Sequence, residues 1–215
     1  MTTNNRFNRV SKHQQYLSAL CLLIFLLAGA SAAAAQGDHT GMVRVDVGRV
    51  HVFGSPAVVP QAGAWIGKKD RGVYAQISTS GLPTGEVVTF WWVFFNNPSN
   101  CAVPGCGPSD LNNPLVNGSL QYGGGSIIGV NKRADFSGFL ELYDNTGYHL
   151  LFPNMPNPAP GLTNTKEAVI HIVMRTHGPA SSDPVVLEQQ LTSFAGGCSV
   201  SATACANRQA AMFLP

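Results

Sequence analysis

Residues 86–95, Glu-Val-Val-Thr-Phe-Trp-Trp-Val-Phe-Phe, constrain this chain more than any other stretch. At a side-chain period of two, Val88, Phe90, Trp92 and Phe94 fall on one face and Val87, Trp91, Val93 and Phe95 on the other. β-Branched and aromatic residues at this density favour a strand. A strand with no polar face has to be covered on both sides, which places it at the centre of a sheet. Trp91 and Trp92 then read as core residues pointing to opposite sides, in competition with an aromatic platform for a ligand.

Further short strands flank this one. Val43, Val45 and Val47 alternate with Arg44 and Asp46, and the phase slips after Gly48, so that Val50 and Val52 follow as a second short strand after a β-bulge or bend. Residues 73–77, 135–143 and 168–176 read as strands, and 210–214 as a closing one. Gly123-Gly124-Gly125 divides 120–130 into two short strands about a turn. One helix stands out late in the chain: Asp183 caps, Pro184 takes the first position, Leu187, Leu191 and Phe194 recur at helical spacing, and Gly196-Gly197 terminates. The pattern predicts an all-β fold, an antiparallel β-sandwich or jelly-roll-like barrel with one short late helix.

Residues 1–35 are set apart from this pattern. Arg6, Arg9 and Lys12 precede an uncharged run from Leu17 to Ala30, and Ala33-Ala34-Ala35 supplies an A-x-A cleavage pattern. These features predict a signal peptide cut after Ala35 on the general secretory route, leaving 36–215 as one domain that is secreted or periplasmic. The competing reading is an uncleaved anchor, since Leu17–Ala35 is just long enough to span a membrane. A copper-chelating Gly37-Asp38-His39 terminus would need a cut after Gln36, a poor residue for the peptidase.

Removing the leader takes away three of the 13 basic residues and none of the 11 acidic ones, leaving 10 against 11. That near-neutral balance lacks the basic footprint of a nucleic-acid binder. A hydrophobic content of 45% with 11% charged residues also excludes an intrinsically disordered chain.

Four cysteines follow the leader. In Cys101-Ala-Val-Pro-Gly-Cys106, Pro104-Gly105 suits a tight reversal, and the Cys198 to Cys205 segment is equally short. In an oxidising compartment the count predicts two local bridges, Cys101–Cys106 and Cys198–Cys205, out of three connectivities. The gaps do not match a zinc knuckle. The first bridge braces the long Asn-rich stretch 96–119, which carries Asn96-Asn97-Pro98 and Asn112-Asn113-Pro114.

Catalytic signatures are missing: no G-x-S-x-G, H-E-x-x-H, Walker or G-x-G-x-x-G sequence occurs. Asp110-Leu111-Asn112 opens like a calcium loop, but Pro114 and the absence of a downstream Glu break the EF-hand pattern. Asp135, Glu141 and Asp144 read as solvent-facing carboxylates rather than a glycosidase pair. The densest polar group is on the strand at 168–176, where Glu167, His171, Arg175 and His177 share a face with Val169 and Val173. Two outcomes are open for it: a structural network in which Glu167 or a neighbouring carboxylate pairs with Arg175, or a site where Arg175 and His177 meet an anionic or polar ligand.

Trp91-Trp92-Val-Phe-Phe-Asn96-Asn97-Pro98 with Cys101, Cys106-Gly107 and Asp110-Leu111, then Ile170-His171 to Arg175 and His177-Gly178-Pro179, then Gln189-Gln190-Leu191 to Phe194 and Gly196-Gly197-Cys198, resembles a family of secreted bacterial proteins with no assigned activity. The chain is also loosely similar to chordin-type (CHRD) domains, although it lacks their H-x-H pairing. Neither resemblance implies a cofactor or a reaction. The function expected is therefore a non-enzymatic exported β-sandwich that binds an unidentified ligand or an envelope or extracellular partner. Its candidate ligand-binding residues are Asn96, Asn97, Asp110, Glu167, His171, Arg175 and His177, with no metal or cofactor. The alternative is a metal-dependent or hydrolytic enzyme that gathers His51, His149, His171 or His177 from several strands.

Overall fold

In the computed structural model, residues 44–198 and 205–215 are described; the leader and its cleavage point lie outside them. The strands are β1 (Arg44–Gly48), β2 (His51–Val52), β3 (Gly63–Lys69), β4 (Gly72–Thr79) and β5 (Glu86–Phe95), then β6 (Gly118–Ile127), β7 (Ala134–Glu141), β8 (Val169–Pro179) and β9 (Cys205–Phe213). One α-helix, α1, spans Pro184–Thr192. All strand pairs are antiparallel, in a four-stranded sheet ordered β1-β3-β4-β7 and a five-stranded sheet ordered β2-β9-β8-β5-β6. The two sheets form a sandwich that does not close into a barrel, so the first of the two expected architectures holds. Among the described residues no helix is long and apolar enough to cross a membrane.

β5 is central, as its two apolar faces demand, and nine consecutive side chains from Val87 to Phe95 are buried. Val88, Phe90, Trp92 and Phe94 join Ile66, Ile77, Phe136, Ile172 and Met174 in the core between the sheets. Trp91, Val93 and Phe95 point the other way, into a second core on the outer face of the five-stranded sheet. That second core is roofed by the stretch 96–117 with its three short 3-10 turns, by residues 148–155, and by Phe194 just past α1. Both indoles are shielded, at 1% and 2% exposure, so the core reading holds over the platform.

The phase slip at Gly48 is a passage between sheets: β1 pairs with β3 in one and β2 with β9 in the other. Sequence reading missed β3, because Lys68 and Lys69 hide its alternation. Lys68 faces inward with Ala64 and Ile66 and is almost fully buried, its Nζ donating to the Leu214 carbonyl at 3.1 Å with Asp46 Oδ2 at 3.5 Å. Burial pushes its pKa down, and the Asp46 carboxylate opposes that shift.

The glycine run at 123–125 does not turn the chain. It lies inside one continuous strand, β6, and produces a register shift against Phe90 and Trp91 on β5. The glycines are there for close approach: a Cβ at Gly123 would sit 2.5 Å from the Phe90 ring, and one at Gly125 would sit 2.2 Å from the Leu191 carbonyl oxygen. α1 therefore lies directly on the backbone of the sheet. It starts as expected, with Asp183 accepting from Val185 N at 2.9 Å and from Val186 N at 3.4 Å. Its docking face differs from the expected leucine stripe: Leu187 and Leu191 are half-buried, and the buried helical side chain is Gln190. Gln190 donates to the His177 and Pro179 carbonyls at 3.0 and 2.9 Å and accepts from Ser181 N.

Trp92→Ala is expected to lower unfolding free energy by ~3 to 5 kcal/mol through the cavity it leaves, as read from urea unfolding. Gly125→Ala is expected to loosen α1, since the added methyl group meets backbone rather than a movable side chain. Faster amide exchange across 184–192 than in wild type checks this, and unchanged exchange there would refute it.

Candidate functional site

The outer face of the five-stranded sheet is built rung by rung from the register. Val93, His171 and Met212 form one rung across β5, β8 and β9, Trp91, Val173 and Ala210 the next, and Thr89, Arg175 and Asn207 the third. Val93, His171 and Met212 of the first rung and Val173 and Ala210 of the second form the floor of a cavity of about 410 Å³. Its walls are the segment His51–Ser55, the disulfide-braced loop through Cys106, Pro108 and Leu111, and Leu151 and Phe194. The lining is mostly apolar, with His51, Ser55, His171 and Asn207 as its polar members and no Asp, Glu, Lys or Arg. This volume lies within the range of small-molecule pockets.

Both expected disulfides form, Cys101–Cys106 with Cα atoms 5.2 Å apart and Cys198–Cys205 with 5.4 Å. The residues expected at the loop end hold the loop together. Asn96 is buried, its amide donating to the Asn117 and Gly161 carbonyls and its oxygen accepting from Thr163 N, so it ties 117 and 161–163 to the end of β5. Asp110 accepts from Ala102 N at 2.9 Å and Gly107 N at 2.7 Å, so both its oxygens brace the cystine turn. Asn97, exposed, donates to the Leu115 carbonyl.

The polar group of β8 divides. Glu167 is exposed on the turn before the strand begins at Val169, so it does not share the strand face. Among the described residues Arg175 has no carboxylate partner; its Nε donates to the Phe194 carbonyl at 2.8 Å, its Nη1 to Asn207 Oδ1 at 3.0 Å, and its guanidinium carbon lies 4.1 Å from the centre of the Phe194 ring. The expected ion pair is replaced by carbonyl, amide and aromatic contacts. A network like the one expected is therefore present around Arg175, and among the described residues it contains no acid.

His177 does not meet solvent. It is 1% exposed. Its Nδ1 lies 2.8 Å from the Gly196 carbonyl, which can only accept, so the proton sits on Nδ1. Nε2 then accepts from the Thr89 hydroxyl at 2.8 Å, while Trp91 Nε1 donates to the same hydroxyl at 2.7 Å. With a neutral imidazole the Thr89 hydroxyl donates to Nε2 and the chain Trp91–Thr89–His177–Gly196 is complete. Burial lowers the His177 pKa most, with the Arg175 charge acting in the same direction and the Gly196 hydrogen bond against it. His171, half-buried, bonds through Nε2 to the Gly105 carbonyl at 2.8 Å and packs edgewise on Phe95. Its pKa is also lowered by burial, against the Gly105 hydrogen bond. His149 stacks on Phe194 with ring centres 5.1 Å apart, and burial and then Arg175 lower its pKa.

Of the four histidines of the enzymatic alternative, His51 and His171 line the cavity, while His149 and His177 are not among its lining residues. Among the described residues, potential metal ligands come together in threes as His177 with Cys198 and Cys205, and as Cys101 and Cys106 with Asp110; the sulfurs in both groups are disulfide-bonded. Asp135 and Glu141 lie near opposite ends of β7, about 20 Å apart at ~3.3 Å per residue. Of the candidate site residues singled out from sequence, the structure brings His171 of the ligand-binding set and His51 of the enzymatic alternative to the cavity, together with Cys106. Sequence reasoning missed the β9 rung members Asn207, Ala210 and Met212, whose alternation is diluted by alanine. Compared with known proteins, the chain matches no family model, no curated protein and no solved structure, so its functional reading rests on this geometry.

The lowered histidine pKa values fix a sign for stability. The unfolded chain takes up protons near the ordinary value of 6.5 while buried His149, His171 and His177 resist them. Stability is therefore full above about pH 7 and falls as the pH drops below 6.5 toward the folded-state values. The urea midpoint is expected to decline over that window, and NMR titration is expected to place the His177 midpoint below 6.5; a midpoint above it would contradict the neutral network.

Proposed function

We propose that this protein is a non-enzymatic exported binding module that holds a small, mainly apolar ligand in the cavity on the outer face of its five-stranded sheet. The observation that carries this reading is the cavity itself, about 410 Å³ of largely apolar space over the rungs at His171 and Val173. A well-packed outer layer would have filled it. The wall formed by Cys106, Pro108 and Leu111 is held by a disulfide and by Asp110, so the space is preformed. Preformed walls reduce the ordering cost of binding. Export is supported by the leader sequence and by two disulfides, which persist in oxidising compartments.

The test uses the uncharged fluorescent probe N-phenylnaphthylamine. Wild-type protein is expected to enhance its emission with saturable one-to-one binding. Ala210→Trp places an indole into the cavity from its floor and is expected to weaken probe binding about tenfold or more with little loss of stability, because the space is there to receive it. Were the region already packed, the same substitution would cost ~1 to 3 kcal/mol by overpacking. No saturable binding by the wild type, or equal binding by both proteins, would overturn the proposal.

A further inference from the structure

Two polar atoms of cavity-lining residues have no partner among the described residues. His171 donates from Nε2 to the Gly105 carbonyl, so in the neutral ring Nδ1 carries a lone pair that no described group meets. At the other level Asn207 accepts from Arg175 through Oδ1, and its Nδ2 donor is unused. The two lie on different rungs: His171 sits opposite Met212, and Asn207 sits opposite Arg175, four residues further along β8. At ~3.3 Å per residue that separation is about 13 Å. Val173 and Ala210 supply an apolar floor between them.

This arrangement discriminates among ligands. A hydrocarbon would cover the His171 lone pair and leave it unpaired, which penalises binding. A carboxylate would give up its hydration in a lining that contains no Arg or Lys, the Arg175 guanidinium being committed to Phe194 and Asn207. A hydroxyl or N–H at the His171 end satisfies the acceptor without introducing charge, and a chain-like apolar body spans the floor.

Building on the binding reading above, we infer that the cavity takes an uncharged, chain-like amphiphile of the medium-chain alcohol type, its hydroxyl donating to His171 Nδ1 and its far end lying toward Asn207. His171 is thus the residue that sets specificity, and the disulfide loop that supplies Gly105 fixes its tautomer. The cystine turn and the acceptor in the cavity are then one device: the Gly105 carbonyl holds the proton on Nε2 and leaves Nδ1 free.

The test is displacement of bound N-phenylnaphthylamine from the oxidised full chain at mildly alkaline pH by three ligands of matched length: decanol, decyl methyl ether and decanoate. Decanol is expected to compete roughly fivefold to tenfold better than the ether, the worth of one hydrogen bond, and better than decanoate. In His171→Phe, decanol and decyl methyl ether are expected to displace the probe equally, whatever the variant's own affinity for the probe. In the wild type, the nitrogen-15 resonance of His171 Nδ1 is expected to shift with decanol and to stay in place with the ether, a readout that needs no variant to fold. Equal competition by alcohol and ether, preference for decanoate, or an unmoved Nδ1 resonance would overturn the inference while leaving the cavity as a binding site. Failure of the probe itself to bind would overturn both.

Discussion

Nine consecutive buried side chains on β5 dictate the layering of this molecule. The edges of the strand are satisfied by β6 and β8, so its two faces need two separate covers. The four-stranded sheet supplies one and creates the main core. Among the described residues no third sheet supplies the other. Loops 96–117 and 148–155 and the segment after α1 do so instead, and loops bring backbone polar groups that have to be satisfied wherever they are buried. Asn96, Asp110 and the cystine turn meet that need: each side chain accepts or donates to backbone that would otherwise be stranded under the roof.

The far end of the roof is held by polar contacts. Gln190 bonds to the His177 and Pro179 carbonyls, His177 to the Gly196 carbonyl, and Arg175 to the Phe194 carbonyl, so β8 grips α1 and the chain after it from below. Gly125 makes this grip possible by letting the Leu191 carbonyl come within the space of a methyl group. The histidine and arginine that look like chemistry in the sequence spend their hydrogen-bonding capacity on this attachment. Where the roof leaves a gap, between the cystine loop and Phe194, the His171 lone pair and the Asn207 amide remain, and the proposed function follows from them.

The sequence by itself determined the elements whose signals are local. The two-faced apolar run of β5, the alternation of Phe136 and Leu140 on β7, the short cystine loops and the Asp183–Pro184 helix start each rest on neighbours within a few residues, and periodicity or turn chemistry reads them directly. Tertiary structure decided whatever depends on partners distant in the chain. Lys68 is an inward residue because the Leu214 carbonyl, at the other end of the chain, is there to receive it. The glycine run stays within a strand because the Phe90 ring packs against Gly123 and a helix some 60 residues later lies against Gly125. Arg175 and His177 are hydrogen-bonded within the fold and His171 lines a cavity because cross-strand register and the loops above set what each side chain meets. A side chain's chemistry is written in the sequence, but whether its hydrogen-bonding capacity is spent or kept is settled by what folds over it.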